Sequence, residues 1–157
     1  MFFEFEADFV ASLRCIPMQV RFKLDTCGVK LKLHQWSLFN ADDRTSLVNR
    51  PCTTALEIQT YHDCLHETIH ARSGETATDL AIEPHPPWTI VTAIPESVLD
   101  KVRSVHQTLT LAQWENLSPL QRFALIKLSR SNHENINFLP ALEEFGCLKV
   151  LPKSSTA

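Results

Sequence analysis

Three histidines stand at four-residue intervals in YHDCLHETIH, residues 61 to 70: His62, His66 and His70. On a helix such positions stack along one face, and imidazoles at i and i+4 can share one metal ion. Asp63 and Glu67 lie beside them on adjacent faces. Against a metal centre, three ligands spread over two turns are hard to bring to one ion, and the sequence offers no obvious further ligand. The plainer alternative is a polar flank beside the apolar stripe Ile58, Tyr61, Leu65 and Ile69. The expectation is no bound metal and no cofactor, with His62, His66 and His70 the candidates if an ion is held.

A second polar cluster lies in SRSNHENINFLP, residues 129 to 140, where His133, Glu134, Asn135 and Asn137 offer an acid, a base and amides. Read structurally, it is a polar loop whose Asn or Ser caps the following helix. A third stretch is EPHPPW, residues 83 to 88, which holds three of the nine prolines. It sits in a region without clear period, residues 73–93, expected to be a connecting loop. A connection this long is either functional or packed on by its own side chains, and Trp88 could anchor it. His85, Trp88, His133, Glu134, Asn135 and Asn137 are therefore the candidate partner-binding residues. The run Arg21, Lys23, Lys30, Lys32 could meet an acidic partner, although a solvated face is the usual role of such residues. There is no phosphate-binding glycine loop, no GxSxG and no nucleophile–base pair identifiable from spacing. No catalytic residue is assigned, and the chain is not expected to be an enzyme.

Composition narrows the classes further. The 157 residues are 44% hydrophobic and 21% charged, with a net charge of −3, which is ordinary for a soluble globular chain. Charge is uneven: residues 16–52 sum to +3 and residues 53–93 to −5. No segment reaches the basic balance of a nucleic-acid binder. Five cysteines without a CxxC pair argue against a four-cysteine zinc or iron–sulfur site and for buried free thiols in a reducing cytosol. The N-terminus MFFEFEADFV carries no basic n-region, and no apolar run approaches membrane-span length. A cytoplasmic location is expected. Three glycines argue against a turn-rich β-barrel.

The elements that must position these residues read as helices. Phe5, Phe9 and Leu13 suggest a short arm. Pro17 opens a helix carrying Val20, Leu24 and Cys27, with Gly28 as its left-handed stop. A short helix through Trp36 and Phe39 follows, then one over residues 41–49. The longest runs from Thr54 to Arg72 and ends at Gly74. After the loop, Pro95 opens a helix with Val98, Val102 and Val105. Thr110 with Gln113, and Ser118 with Gln121, fit capping boxes, and Pro119 suits the first helical position. The apolar arc of residues 119–130 is too wide for a surface helix, which places that helix centrally and excludes it as a DNA-groove reader. A last helix spans about 135–145, capped by Gly146. Residues 147–157 are expected to form a flexible tail.

Two segments match without a gap. Between residues 16–52 and 94–130, ten of 37 positions are identical, including Pro17/Pro95, Gln35/Gln113, Trp36/Trp114 and Arg44/Arg122. Composition alone would give about two or three. Trp36 and Trp114 then read as equivalent core anchors, and Arg44 and Arg122 as partners of carboxylates or helix-end carbonyls. The fold expected is all-α: a single compact helical domain over 1–157, built from two pseudo-twofold-related repeats at about 16–72 and 94–146.

Three blocks, FEADFVASLRCIPMQVRFKLDTCGVKLKLHQW, IEPHPPW and LTLAQWENLSPLQRFALIKLSRSNHENINFLPALEEF, together resemble the nitrate reductase-associated protein family, a small family of photosynthetic bacteria. The resemblance runs from about Phe5 to Phe145. Its genes tend to lie beside those for assimilatory nitrate reductase and molybdenum-cofactor synthesis. It implies a non-catalytic accessory factor that supports nitrate reductase activity or maturation by binding the enzyme or its maturation machinery. It implies no catalytic residues; charge and hydropathy, not the resemblance, are what argue against a nucleic-acid or membrane partner. Two other readings stand beside it: a small metal- or molybdenum-cofactor-handling protein using His62, His66 and His70, and a transcriptional regulator of nitrogen genes.

Overall fold

The computed structural model describes residues 2–10, 13–130 and 135–148, and for Phe9 and Asn135 the backbone alone. The chain is mostly helical, as expected, with one pair of two-residue strands. Within the chain two compact units can be distinguished, residues 1–84 and 85–157, each holding one copy of the repeated segment. Among the described residues, no helix is long and apolar enough to cross a membrane.

In the first unit the arm is a 3₁₀ turn, Glu4–Glu6, running into a single turn of helix α1, Ala7–Val10. Its purpose is legible in Glu6, which is 2% exposed and accepts the Met18 N–H at 3.1 Å. Pro17 has extended ψ and precedes helix α2, Met18–Cys27, so it stands at the cap rather than inside the first turn. It has no side-chain acceptor, and the buried Glu6 carboxylate supplies one to the first free amide of α2. Gly28 ends α2 with φ 74°, in the left-handed region.

Strand β1, Val29–Lys30, follows at once, then helix α3, Leu33–Leu38, helix α4, Ala41–Asn49, and helix α5, Ala55–Ser73. Asn40 and Asp43 cap α4 reciprocally, at 2.7 and 3.1 Å. Thr54 and Glu57 do the same for α5. Lys23 donates to the carbonyls of Val48 and Arg50, both at 2.7 Å, satisfying the end of α4. Arg21 donates to the Ile16 carbonyl at 3.2 Å. Two members of the basic run are thus engaged inside their own unit. The core gathers Val20, Leu24, Cys27, Trp36, Phe39, Leu47, Tyr61, Leu65 and Ile69.

The stretch 73–93, read as a plain loop, is structured at both ends. Strand β2, Thr78–Asp79, pairs antiparallel with β1 in the first unit, Val29 opposite Asp79 and Lys30 opposite Thr78. Beginning the second unit, a 3₁₀ turn covers Pro87–Thr89. Helices α6, Glu96–Ser104, α7, Leu111–Asn116, α8, Pro119–Arg130, and α9, Asn135–Glu144, complete it. Helix α8 packs against α6, α9 and the 3₁₀ turn, and its residues 122–126 and Leu128 are all buried, which fits the wide apolar arc. Both expected capping boxes form: Thr110 with Gln113, and Ser118 with Gln121. Cys147, counted with the tail, is buried, and its N–H meets the Leu142 carbonyl at 2.9 Å. Residues 149–157 lie outside the described residues.

The two Trp–Arg pairs make matching bonds within their own units. Trp36 and Trp114 are both 0% exposed, and a buried indole N–H needs an acceptor. Trp36 Nε1 donates to the Leu13 carbonyl and Trp114 Nε1 to the Ile90 carbonyl, each at 2.9 Å. Arg44 donates to the carbonyls of Trp36 and Ser37, at 3.3 and 3.1 Å. Arg122 donates to those of Trp114 and Glu115, at 3.3 and 3.4 Å, and further to Leu117 and Trp88. Helix-end carbonyls, rather than carboxylates, are what these arginines hold. Aligned positions are not all equally buried: Ile58 is half-buried, whereas Ile136 is 81% exposed.

Candidate functional site

The rotation of α5 is fixed by what it buries. Tyr61, Leu65 and Ile69 are at most 1% exposed, and the Tyr61 hydroxyl donates to the Leu47 carbonyl at 2.8 Å. One residue further round the helix, His62 and His66 fall on the flank of that stripe and are half-exposed. Their rings stack with centroids 4.2 Å apart and planes 29° from parallel.

Asp79 completes the group. Its Oδ1 lies 2.8 Å from His62 Nε2 and 2.8 Å from His66 Nε2. The carboxylate is delivered by β2, whose pairing with β1 continues in the Leu80 N–H to Gly28 carbonyl bond at 2.8 Å. That approach needs a glycine. A Cβ on Gly28 would stand 2.6 Å from the Leu80 oxygen and 2.8 Å from Ile82 Cγ1. The second ring nitrogen of His62, Nδ1, lies 3.1 Å from Asp63 Oδ1, and Gln59 Nε2 donates to that same oxygen at 2.9 Å.

The charges act on one another. The Asp63 carboxylate pushes His62 above the usual imidazole range; burial opposes it, and the Asp79 carboxylate adds to the rise. His66 and His62 hold Asp79 below the usual carboxylate range. His62 and the Gln59 amide lower Asp63. Beside the cluster opens a cleft of about 230 Å³, lined by Cys27, Gly28, Ile58, Gln59, His62, Asp79, Leu80 and Ile82.

Of the three histidines in the stripe, the structure brings two together and adds an aspartate. Among the described residues, the donor atoms close enough to share an ion are those of His62, His66 and Asp79, all within 4.8 Å of one another; His70 is exposed on the next turn and is outside that set. Asp79 was missed because it lies 13 and 17 residues from its partners. The only sequence signal was the alternation of Thr78, Leu80 and Ile82 with Asp79 and Ala81, the period of an edge strand.

The other candidates are placed as follows. His85 is exposed. Trp88 is half-buried, its ring set edge-on against Phe123 at 5.0 Å and its carbonyl accepting from Arg122 at 2.7 Å. It anchors EPHPPW, as expected. Asn137 is half-buried on α9, Asn135 opens that helix, and His133 and Glu134 lie outside the described residues.

A family model described as conserved nitrate reductase-associated protein matches residues 2–145. Comparison with curated proteins and with solved structures finds no match.

Proposed function

The chain belongs to the conserved nitrate reductase-associated protein family, and from that membership we propose that it is a non-catalytic accessory factor of assimilatory nitrate reductase. It acts by protein–protein binding, in support of the enzyme's activity or maturation. The observation that carries this reading is the family match over residues 2–145, which spans both units rather than one borrowed segment.

Two surfaces are the first to examine. In the second unit, exposed His85 and half-buried Pro86 and Pro87 lead into an anchored Trp88, so a partner would meet a preformed surface and little ordering entropy would be lost. Asn137 and exposed Ile136 on α9 present a second one.

The test is deletion of the gene followed by assay of nitrate reductase, with co-purification against the enzyme in apo and holo forms. Reduced activity together with co-purification is expected. Full activity in the deletion strain and no co-purification with either form would reject the reading. A His85→Ala, Ile136→Asp variant should weaken capture while leaving the fold unchanged by circular dichroism.

A further inference from the structure

We propose that His62, His66 and Asp79 form a three-ligand site for a divalent first-row transition ion of the zinc type, open on the side of the neighbouring cleft. The inference rests on geometry within the first unit and is independent of what the protein binds elsewhere.

Both imidazoles present the same atom, Nε2, to one carboxylate oxygen, at 2.8 Å each. Tetrahedral zinc with bonds near 2.0–2.2 Å separates neighbouring donor atoms by about 3.3 Å. Each Nε2–Oδ1 pair therefore needs to spread by only about half an ångström to admit an ion, and the two Nε2 atoms, within 4.8 Å of each other, need to settle at a similar separation. Side-chain rotation alone achieves this, since His62 and His66 are one turn apart on a rigid helix.

The outer groups are also in place. A metal-bound histidine usually donates its other N–H to a carboxylate, which fixes the tautomer and strengthens the ligand. His62 Nδ1 has such a partner in Asp63, itself held by Gln59. In the ion-bound form, a proton held on Nδ1 by Asp63 would leave the Nε2 lone pair to the cation.

Charge favours the same occupant. One divalent ion satisfies both nitrogen lone pairs and the carboxylate together, releasing protons as it binds. A donor set of two imidazoles and one carboxylate suits zinc, copper, nickel or cobalt, and disfavours magnesium and calcium, which want oxygen ligands. Three protein ligands leave a position for water or a small anionic or thiol ligand, and the cleft of about 230 Å³ beside His62 and Asp79 has room for one.

Isothermal titration of tag-free, chelator-stripped full-length protein with Zn²⁺, paired with the absorption spectrum of the Co²⁺ form, tests the site. One ion per chain is expected. His62→Asn and His66→Asn should each weaken binding by on the order of 100-fold, and Asp63→Asn by about tenfold. Asp79→Asn should weaken it and alter the Co²⁺ spectrum. His70→Asn should bind as the parent does. Circular dichroism of each variant shows that the fold is retained, and the double variant His62→Asn, His66→Asn covers the case in which Asp79→Asn loosens the strand. No stoichiometric zinc in the parent would overturn the proposal. So would binding that survives the double variant, or binding that is lost in His70→Asn.

Discussion

Arg122 is the side chain on which the second unit's geometry turns. It is 5% exposed, and burial pulls its guanidinium below the usual arginine range. Four backbone carbonyls, those of Trp88, Trp114, Glu115 and Leu117, accept its protons. Arg122→Ala leaves several of them unsatisfied, at about 1–3 kcal/mol for each group that stays buried. A loss of roughly 3–5 kcal/mol is expected in denaturant melts. Arg122→Lys should recover little, because one ammonium cannot span carbonyls arranged for a planar fork. Arg44 holds two carbonyls and is half-exposed, so Arg44→Ala should cost about 1 kcal/mol. Asp43 is one of the carboxylates that contribute to the acid response of the first unit. The Arg72 guanidinium at 2.7 Å, followed by the Asn40 bond, holds its carboxyl below the usual range. Its stabilising contribution is therefore fully present above about pH 4, where the unfolded carboxyl ionises, and is lost as pH falls through the folded value. In thermal melts between about pH 5 and 2, Asp43→Asn should lower stability near neutrality and flatten the acid limb. An unchanged acid limb in that variant would assign it to other carboxylates.

At the scale of elements, the strand pair carries more than its length suggests. Gly28 and Gly74 have nearly the same φ, 74° and 72°, yet a Cβ meets Leu80 and Ile82 at the first and nothing within 4 Å at the second. Gly74→Ala should cost about 1–2 kcal/mol, the penalty of the left-handed region alone. Gly28→Ala should cost more than that, and should displace β2 and with it Asp79, so zinc affinity falls along with stability. Denaturant melts and zinc titration of the two variants make the comparison. This element also marks where the sequence could be read and where it could not. Helix limits were legible because their signals are local: Thr110 with Gln113, Ser118 with Gln121, and the helix-ending glycines Gly28, Gly74 and Gly146. The span 41–49 was read to the residue. The alternation from Thr78 to Ile82 has the period of an edge strand but does not name its partner, and β1 is too short to show a period, so the β1–β2 pairing was not legible. The candidate site was half legible for the same reason. Helical spacing exposed His62 and His66 and suggested His70, whereas Asp79 arrives through a backbone pairing that no spacing rule encodes.

At the scale of the molecule, five free cysteines are distributed through both units. Burial pushes the Cys27 thiol up to about 12 and that of Cys52 to about 11, and raises Cys147 as well. Thiolates are the reactive species, so these three should resist alkylation at pH 8 until their surroundings open. Cys15 and Cys64, half-exposed, should react first. Mass spectrometry of briefly alkylated native protein checks this, and early labelling at Cys27 or Cys52 would show that the first unit's core opens on its own. The placement of the indoles offers an optical route to the same question. Of the three tryptophans, Trp36 belongs to the first unit, and Trp88 and Trp114 belong to the second. Trp36 and Trp114 each hold the segment entering their unit through one N–H bond. Their emission is thereby shielded from water for as long as that segment stays docked. Under excitation selective for tryptophan over Tyr61, a Trp36→Phe chain would fluoresce from residues 85–157 alone, and a chain with Trp88→Phe and Trp114→Phe from residues 1–84 alone. The protein thus carries a separate lamp in each half, and the order in which the two redden during denaturation would show whether they melt as one or in turn.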